Sequence, residues 1–160
     1  MSEIQDPPQG DGSSPSSPYR DAGPPFQLPP PSLVELASGV DALYLSGRAS
    51  LPGELLGRLE VAREEAVRAN EARSFLLGGV EFRMKPHSWL RYRYCLDHAF
   101  GRVGLTMSHH LPAVRVQPHT EFIQGSGPRP VVEWYRELLE SECGAVLFSV
   151  NRLDLFCPWP

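Results

Sequence analysis

The chain has 160 residues, 41% of them hydrophobic and 21% charged, with a formal net charge of −4 at pH 7. That length suits one folded domain rather than two, and the acidic balance excludes a molecule that is basic over its whole surface. Cys95, Cys143 and Cys157 are odd in number and far apart, which argues against a disulfide framework or a zinc knuckle and for reduced intracellular thiols.

Residues 1–32 carry nine prolines among Gly, Ser and Asp. Too little apolar area is available there to offset the entropy of ordering, so a disordered proline-rich tail is expected. Its "PPFQLPPPS" stretch has polyproline-II character. Two readings stand for it: a docking peptide for a proline-recognition partner, or a solvated tail. The opening "MSEIQDPPQG" lacks the basic and apolar regions of a secretory signal. No apolar run approaches the ~20 residues of a membrane span. A soluble, cytoplasmic protein is the expectation.

Residues 33–160 are expected to form one α+β domain. "DALYLSG" (41–47) alternates and predicts a first strand. Ser50 is placed to cap a helix, with Pro52 and Glu54 in its first turn. Leu55, Leu59, Ala62 and Ala66 form its apolar face, and the pattern predicts helix to about Arg73. Gly78-Gly79 signals a turn. Val80, Phe82 and Met84 then alternate with Glu81, Arg83 and Lys85 in a strand with one wet face. "WLRYRYCLDH" (89–98) reads as one alternating strand, with Tyr92 and Tyr94 on one face and Arg91 and Arg93 on the other. "GRVGLTMS" (101–108) and "PAVRVQPH" (112–119) predict two more strands. A helix is expected from Ser126, with Val131, Trp134, Tyr135, Leu138 and Leu139 at helical spacing and Gly144 as its stop. "AVLFSVNRLDLF" predicts a final strand suited to a sheet interior. The sum is a mostly antiparallel sheet of five to six strands with two helices on one face.

Between Arg83 and Arg115 lie six basic residues (Arg83, Lys85, Arg91, Arg93, Arg102, Arg115) and one acid, Asp97. On a shared sheet these would make one positive face inside an acidic molecule. The functional reading is phosphate contact by the arginines and base stacking on nearby aromatics. The plain reading is an ordinary half-buried strand with its arginines in water. His119 and Glu121 share strand parity and can be read as meeting one metal ion, or as ordinary loop residues. Arg152 and Asp154 share a face and, read alone, form a surface ion pair. No P-loop, nucleophile elbow or dinucleotide fingerprint is present.

Taken together, the Tyr-rich strand, "GRVGL", "LPAVRVQ", the following helix and "SVNRLDLFC" resemble the front part of plasmid and phage rolling-circle replication initiation factors. In that family a helix leads into a strand of the form Val-Ser-Arg-(Ile/Leu/Val)-Asp-Leu-x-x-Asp. Arg152, Asp154 and Leu155 match it. The resemblance implies a DNA-nicking enzyme in which acidic residues hold Mg²⁺ or Mn²⁺ and a later tyrosine attacks a phosphate. Carried over, Asp154 is a metal-ligand candidate, and Arg152 buttresses it or contacts phosphate. Pro158 stands where the second acid is expected, and no later tyrosine follows. The expectation is therefore a truncated, DNA-binding initiator-like fragment without nicking activity of its own. The alternative is a non-catalytic α+β interaction module with a proline-rich docking tail.

Overall fold

The structure is a computed structural model and describes residues 38–157. The expected proline-rich tail and Pro158 lie outside them. Chain order is β1 (Gly39–Arg48), α1 (Gly53–Ala69), β2 (Arg73–Leu77), β3 (Val80–Met84), β4 (Tyr94–His98), β5 (Gly101–Leu105), β6 (Val114–Pro118), α2 (Thr120–Ser126), α3 (Pro128–Cys143) and β7 (Leu147–Phe156). The strands form a seven-stranded sheet in the order β2-β3-β4-β5-β6-β1-β7, and every pairing is antiparallel. The α+β class and antiparallel sheet are as expected. The described residues hold one strand and one helix more than the sequence pattern suggested.

Both additions have local causes. The helical pattern predicted to about Arg73 stops at Ala69 because Asn70 takes a left-handed conformation (φ 52°) and its N–H returns to the carbonyls of Ala66 and Val67. That releases Arg73–Leu77 to become β2. It folds onto β3 through Gly78 and Gly79, whose φ values of 55° and 79° suit a tight two-residue hairpin turn. Glycine is required at 78 for a second reason: a Cβ there would lie 2.7 Å from the Leu138 carbonyl oxygen on α3. The second addition, α2, starts directly after His119, so "TEFIQGS" is one short helix. His119 and Glu121 therefore do not share strand parity.

All three helices pack on one face of the sheet. Leu55, Leu59, Ala62 and Ala66 of α1, Ile123 of α2, and Val131, Tyr135, Leu138 and Leu139 of α3 share one core with Leu43, Leu45, Leu77, Phe82, Leu96, Val103, Leu105 and Val116 of the strands. Each fully buried Leu contributes about 1.5–3 kcal/mol relative to exposure. Period 2 sends the alternate residues of every strand to the opposite, helix-free face. That face carries the polar side chains considered below.

Candidate nucleic-acid interface

Register assembles the open face. Directly opposed residues of antiparallel strands share a side. Ser74 opposes Arg83, Arg83 opposes Asp97, Asp97 opposes Arg102, and Arg102 opposes Gln117. The Gln117 amide donates to the Tyr44 hydroxyl at 3.1 Å, and Tyr44 opposes Arg152. One row of polar and aromatic side chains therefore crosses all seven strands. A second row runs Cys95, Gly104, Arg115, Ser46, Ser149.

The segment between β3 and β4 lies over this face. Trp89 and Tyr92 exchange backbone hydrogen bonds of 3.1 and 2.9 Å across a two-residue turn. Leu90 in that turn has φ 56°, a left-handed value that a leucine adopts at a cost. Gly104 makes the seating possible. A Cβ there would sit 2.9 Å from Tyr92 Cβ and Cγ and 3.0 Å from Trp89 Cε3. Tyr92 is buried against this spot, and Trp89 is half-buried beside it.

Trp89 stands between two guanidinium groups. The Arg102 and Arg115 Cζ atoms each lie 5.4 Å from its ring. Arg115 also lies 5.8 Å from the Tyr44 ring, and Arg152 lies 5.5 Å from the same ring. Cations and rings thus alternate, Arg102–Trp89–Arg115–Tyr44–Arg152, over β5, β6, β1 and β7. Each such contact is worth about 0.5–1 kcal/mol at an exposed site.

The charges on this face differ in how they are held. Asp97 is shared by Arg102 (2.6 Å) and Lys85 (3.1 Å). Burial alone would raise its pKa, but the hydrogen bonds from Arg102 and Lys85 outweigh that and lower it. Asp154 accepts from Nε and Nη2 of Arg152, and the Arg152 hydrogen bond holds its carboxyl below the usual range. Arg115 is different. Among the described residues it has no carboxylate within salt-bridge distance, and its buried Nε has no hydrogen-bond partner. A wedged arginine without an acid keeps its outer N–H groups free for an anionic ligand.

Of the sequence-level candidates, Arg83, Lys85, Arg102, Arg115 and Arg152 lie on the open face, Arg83 and Lys85 beside Asp97 and the other three along the Trp89–Tyr44 series. Arg91 and Arg93 do not pair there as the alternation predicted. The expected strand 89–98 is broken by the Trp89–Tyr92 turn, and only Tyr94–His98 is strand. Arg91 is exposed in the turn. Arg93 leaves the sheet face to bond Glu60 on α1. Tyr92 and Tyr94 are likewise split: Tyr92 lies on the open side over Gly104, whereas Tyr94 enters the core and its hydroxyl donates to Glu60 at 2.7 Å. The residues that sequence reasoning missed are Trp89, Tyr44 and Gln117. The glycine inside "GRVGL" was the available signal, because a glycine within a strand marks a close approach.

The residues present do not fit a divalent cation at Asp154. Arg152 already engages both carboxylate oxygens. Among the described residues no three His, Cys, Asp or Glu side chains converge in a group able to hold a metal ion. His119 precedes the first turn of α2, and its Nδ1 lies 3.1 Å from the Ala99 carbonyl oxygen. No helix among the described residues is long and apolar enough to cross a membrane.

No protein-family model, curated protein or solved structure matches the chain. The functional reading therefore rests on the geometry of this face.

Proposed function

We propose that the chain is a DNA-binding module of replication-initiator type that engages single-stranded DNA on its open sheet face and does not nick it. The observation that carries this reading is Arg115, an unpaired guanidinium wedged between Trp89 and Tyr44. Phosphates would meet Arg102, Arg115 and Arg152, while unpaired bases would stack on the edge of the aromatic series. A single strand fits this better than a duplex, because the face is a broad open sheet surface and offers no helix to enter a major groove. The order of elements and "SVNRLDLF" support the initiator-type reading, since Arg152 joins the same series of side chains.

Fluorescence anisotropy with a labelled single-stranded oligonucleotide and the matching duplex tests it. Three phosphate contacts give a log–log salt slope of about −2 for a single strand. Arg115→Ala should make that slope shallower by about 0.7. Trp89→Ala should cost about 1–3 kcal/mol, the worth of one base–aromatic stack. Binding that is absent above background, or indifferent to both substitutions, overturns the reading. Site-specific nicking of supercoiled DNA with Mg²⁺ or Mn²⁺, lost in Asp154→Ala, overturns the non-nicking part alone.

A further inference from the structure

The outer edge of β7 is a second exposed feature, adjoining the face just described at Arg152 and Asp154. β7 is ten residues long and sits at the end of the sheet. Among the described residues no strand pairs with its outer side. An edge of that length presents a row of backbone donors and acceptors to any matching strand. Natural edges are usually blunted by lysines, prolines, β-bulges or a covering helix; β7 carries one extra residue at Asn151, between Val150 and Arg152, so the straight part of the edge is residues 152–156. Here Val150 is 60% exposed, Leu153 49% and Leu155 73%. Leu153 opposes the core residue Leu43 and Leu155 opposes Val40, so both point to the helix side of the sheet. Arg152 and Asp154 point to the other side.

We propose that two copies of this chain pair antiparallel through β7, with Leu153 of each copy on the two-fold axis. Charge favours a second copy as the partner and separates this register from the two adjoining ones. A two-fold perpendicular to the sheet keeps the open faces of both copies on one side, so opposed residues must share parity. Centring on 152 sets Arg152 against Arg152, and centring on 154 sets Asp154 against Asp154. Like charges directly opposed are destabilising. Centring on 153 sets Arg152 of each copy against Asp154 of the other, giving an alternating square of four charges. On the reverse side the same register brings the two Leu153 side chains together, with Leu155 diagonal to them. Pairing joins the two sheets edge to edge.

Sedimentation velocity of the full chain across a concentration series, without DNA, reads the assembly independently of nucleic-acid binding. A concentration-dependent dimer is expected. Leu153→Lys puts like charges on the axis and should weaken association by a factor of about 10 or more. Asp154→Arg alone should weaken it too. The swap Arg152→Asp with Asp154→Arg should restore it, because a swapped chain is again complementary to itself. Cross-linking tests the register. Opposed Cα atoms lie about 4.5–5.5 Å apart, within the roughly 4.4–6.8 Å range a disulfide spans. In a Cys157→Ser background, Leu153→Cys should therefore oxidise to a covalent dimer. Leu155→Cys should not, since its two copies fall four residues out of register, about 13 Å apart. A chain that stays monomeric at every concentration overturns the proposal and leaves the edge to a strand of another protein. A dimer indifferent to Leu153→Lys, or equal cross-linking at 153 and 155, overturns it as well.

Discussion

Gly104→Ala offers the sharpest test of how the open face is built. Gly104 is absent from the positive-φ glycines, so an alanine suits its backbone and the objection is steric. The new methyl would lie 2.9 Å from Tyr92 Cβ and Cγ and 3.0 Å from Trp89 Cε3. Comfortable carbon contacts are about 3.5–4.0 Å, so each of three contacts is short by at least about half an ångström. Two of them involve the Cβ and Cγ of a buried tyrosine, which cannot swing aside without moving its backbone. Overpacking of this kind costs about 1–3 kcal/mol. To relieve it, the Trp89–Tyr92 turn must lift from the sheet and carry Trp89 away from Arg102 and Arg115. Each of those two contacts is worth about 0.5–1 kcal/mol. Urea denaturation should show a lower midpoint with an unchanged slope. Anisotropy should show single-strand affinity falling toward that of Trp89→Ala. An unchanged midpoint together with unchanged affinity would refute the seating of the turn on Gly104, and with it the place of Trp89 between the arginines.

Other substitutions probe the surrounding framework. Glu60 has its carboxyl lowered by the hydrogen bond from Arg93 and then by that from Tyr94. A depressed folded-state value contributes stability above the unfolded pKa of about 4.3 and loses it as pH falls through the folded value. Glu60→Gln should therefore cost up to about 1 kcal/mol at neutral pH and progressively less in acid, as read by denaturation at a series of pH values. Asp97→Asn removes the acid shared by Lys85 and Arg102. It should destabilise the fold modestly and yet steepen the salt slope of single-strand binding by about 0.7 per freed cation. Tyr135→Phe deletes a buried hydroxyl that donates to the Phe100 carbonyl at 3.0 Å. That carbonyl also accepts the His119 N–H at 2.9 Å, so the loss should stay near about 1 kcal/mol. Leu90→Asn should be neutral or stabilising by thermal melt, because Asn tolerates the left-handed region that Leu90 occupies.

How much of this was legible in the sequence depended on whether the signal was local. The apolar positions of α1 and α3 and the alternation in β3 reported core and open faces correctly, because periodicity is a property of contiguous residues. Arg83 and Lys85 were placed on the wet face by that alternation, and Arg102 and Arg115 were expected to join them only if their strands shared the sheet. Arg91 and Arg93 were misplaced because the alternation over 89–98 runs straight through a tight turn. Leu90 carries none of the usual turn chemistry, so nothing in the residue type marks the break. β2 was hidden by a helical pattern that continues past Asn70, although asparagine is an established left-handed stop. α2 was hidden by its shortness and its glycine. The alternating series itself was not legible. It needs Tyr44, Trp89 and Arg115 to meet, and register between segments so distant along the chain is set by the whole sheet. β7 read as an interior strand because of its apolar content, yet among the described residues it forms the edge of the sheet.

Lys85 is the only lysine in the chain, and its ammonium group is tied to Asp97. The rest of the positive charge on the open face belongs to guanidinium groups, which stay protonated in proteins. Two consequences follow for regulation. Enzymes that acetylate lysine side chains have one substrate residue, Lys85, and leave Arg102, Arg115 and Arg152 untouched. Methylation of those arginines would keep their charge while blocking N–H donors. Covalent control of this face would therefore change the geometry of what it grips before it changed the field that attracts it.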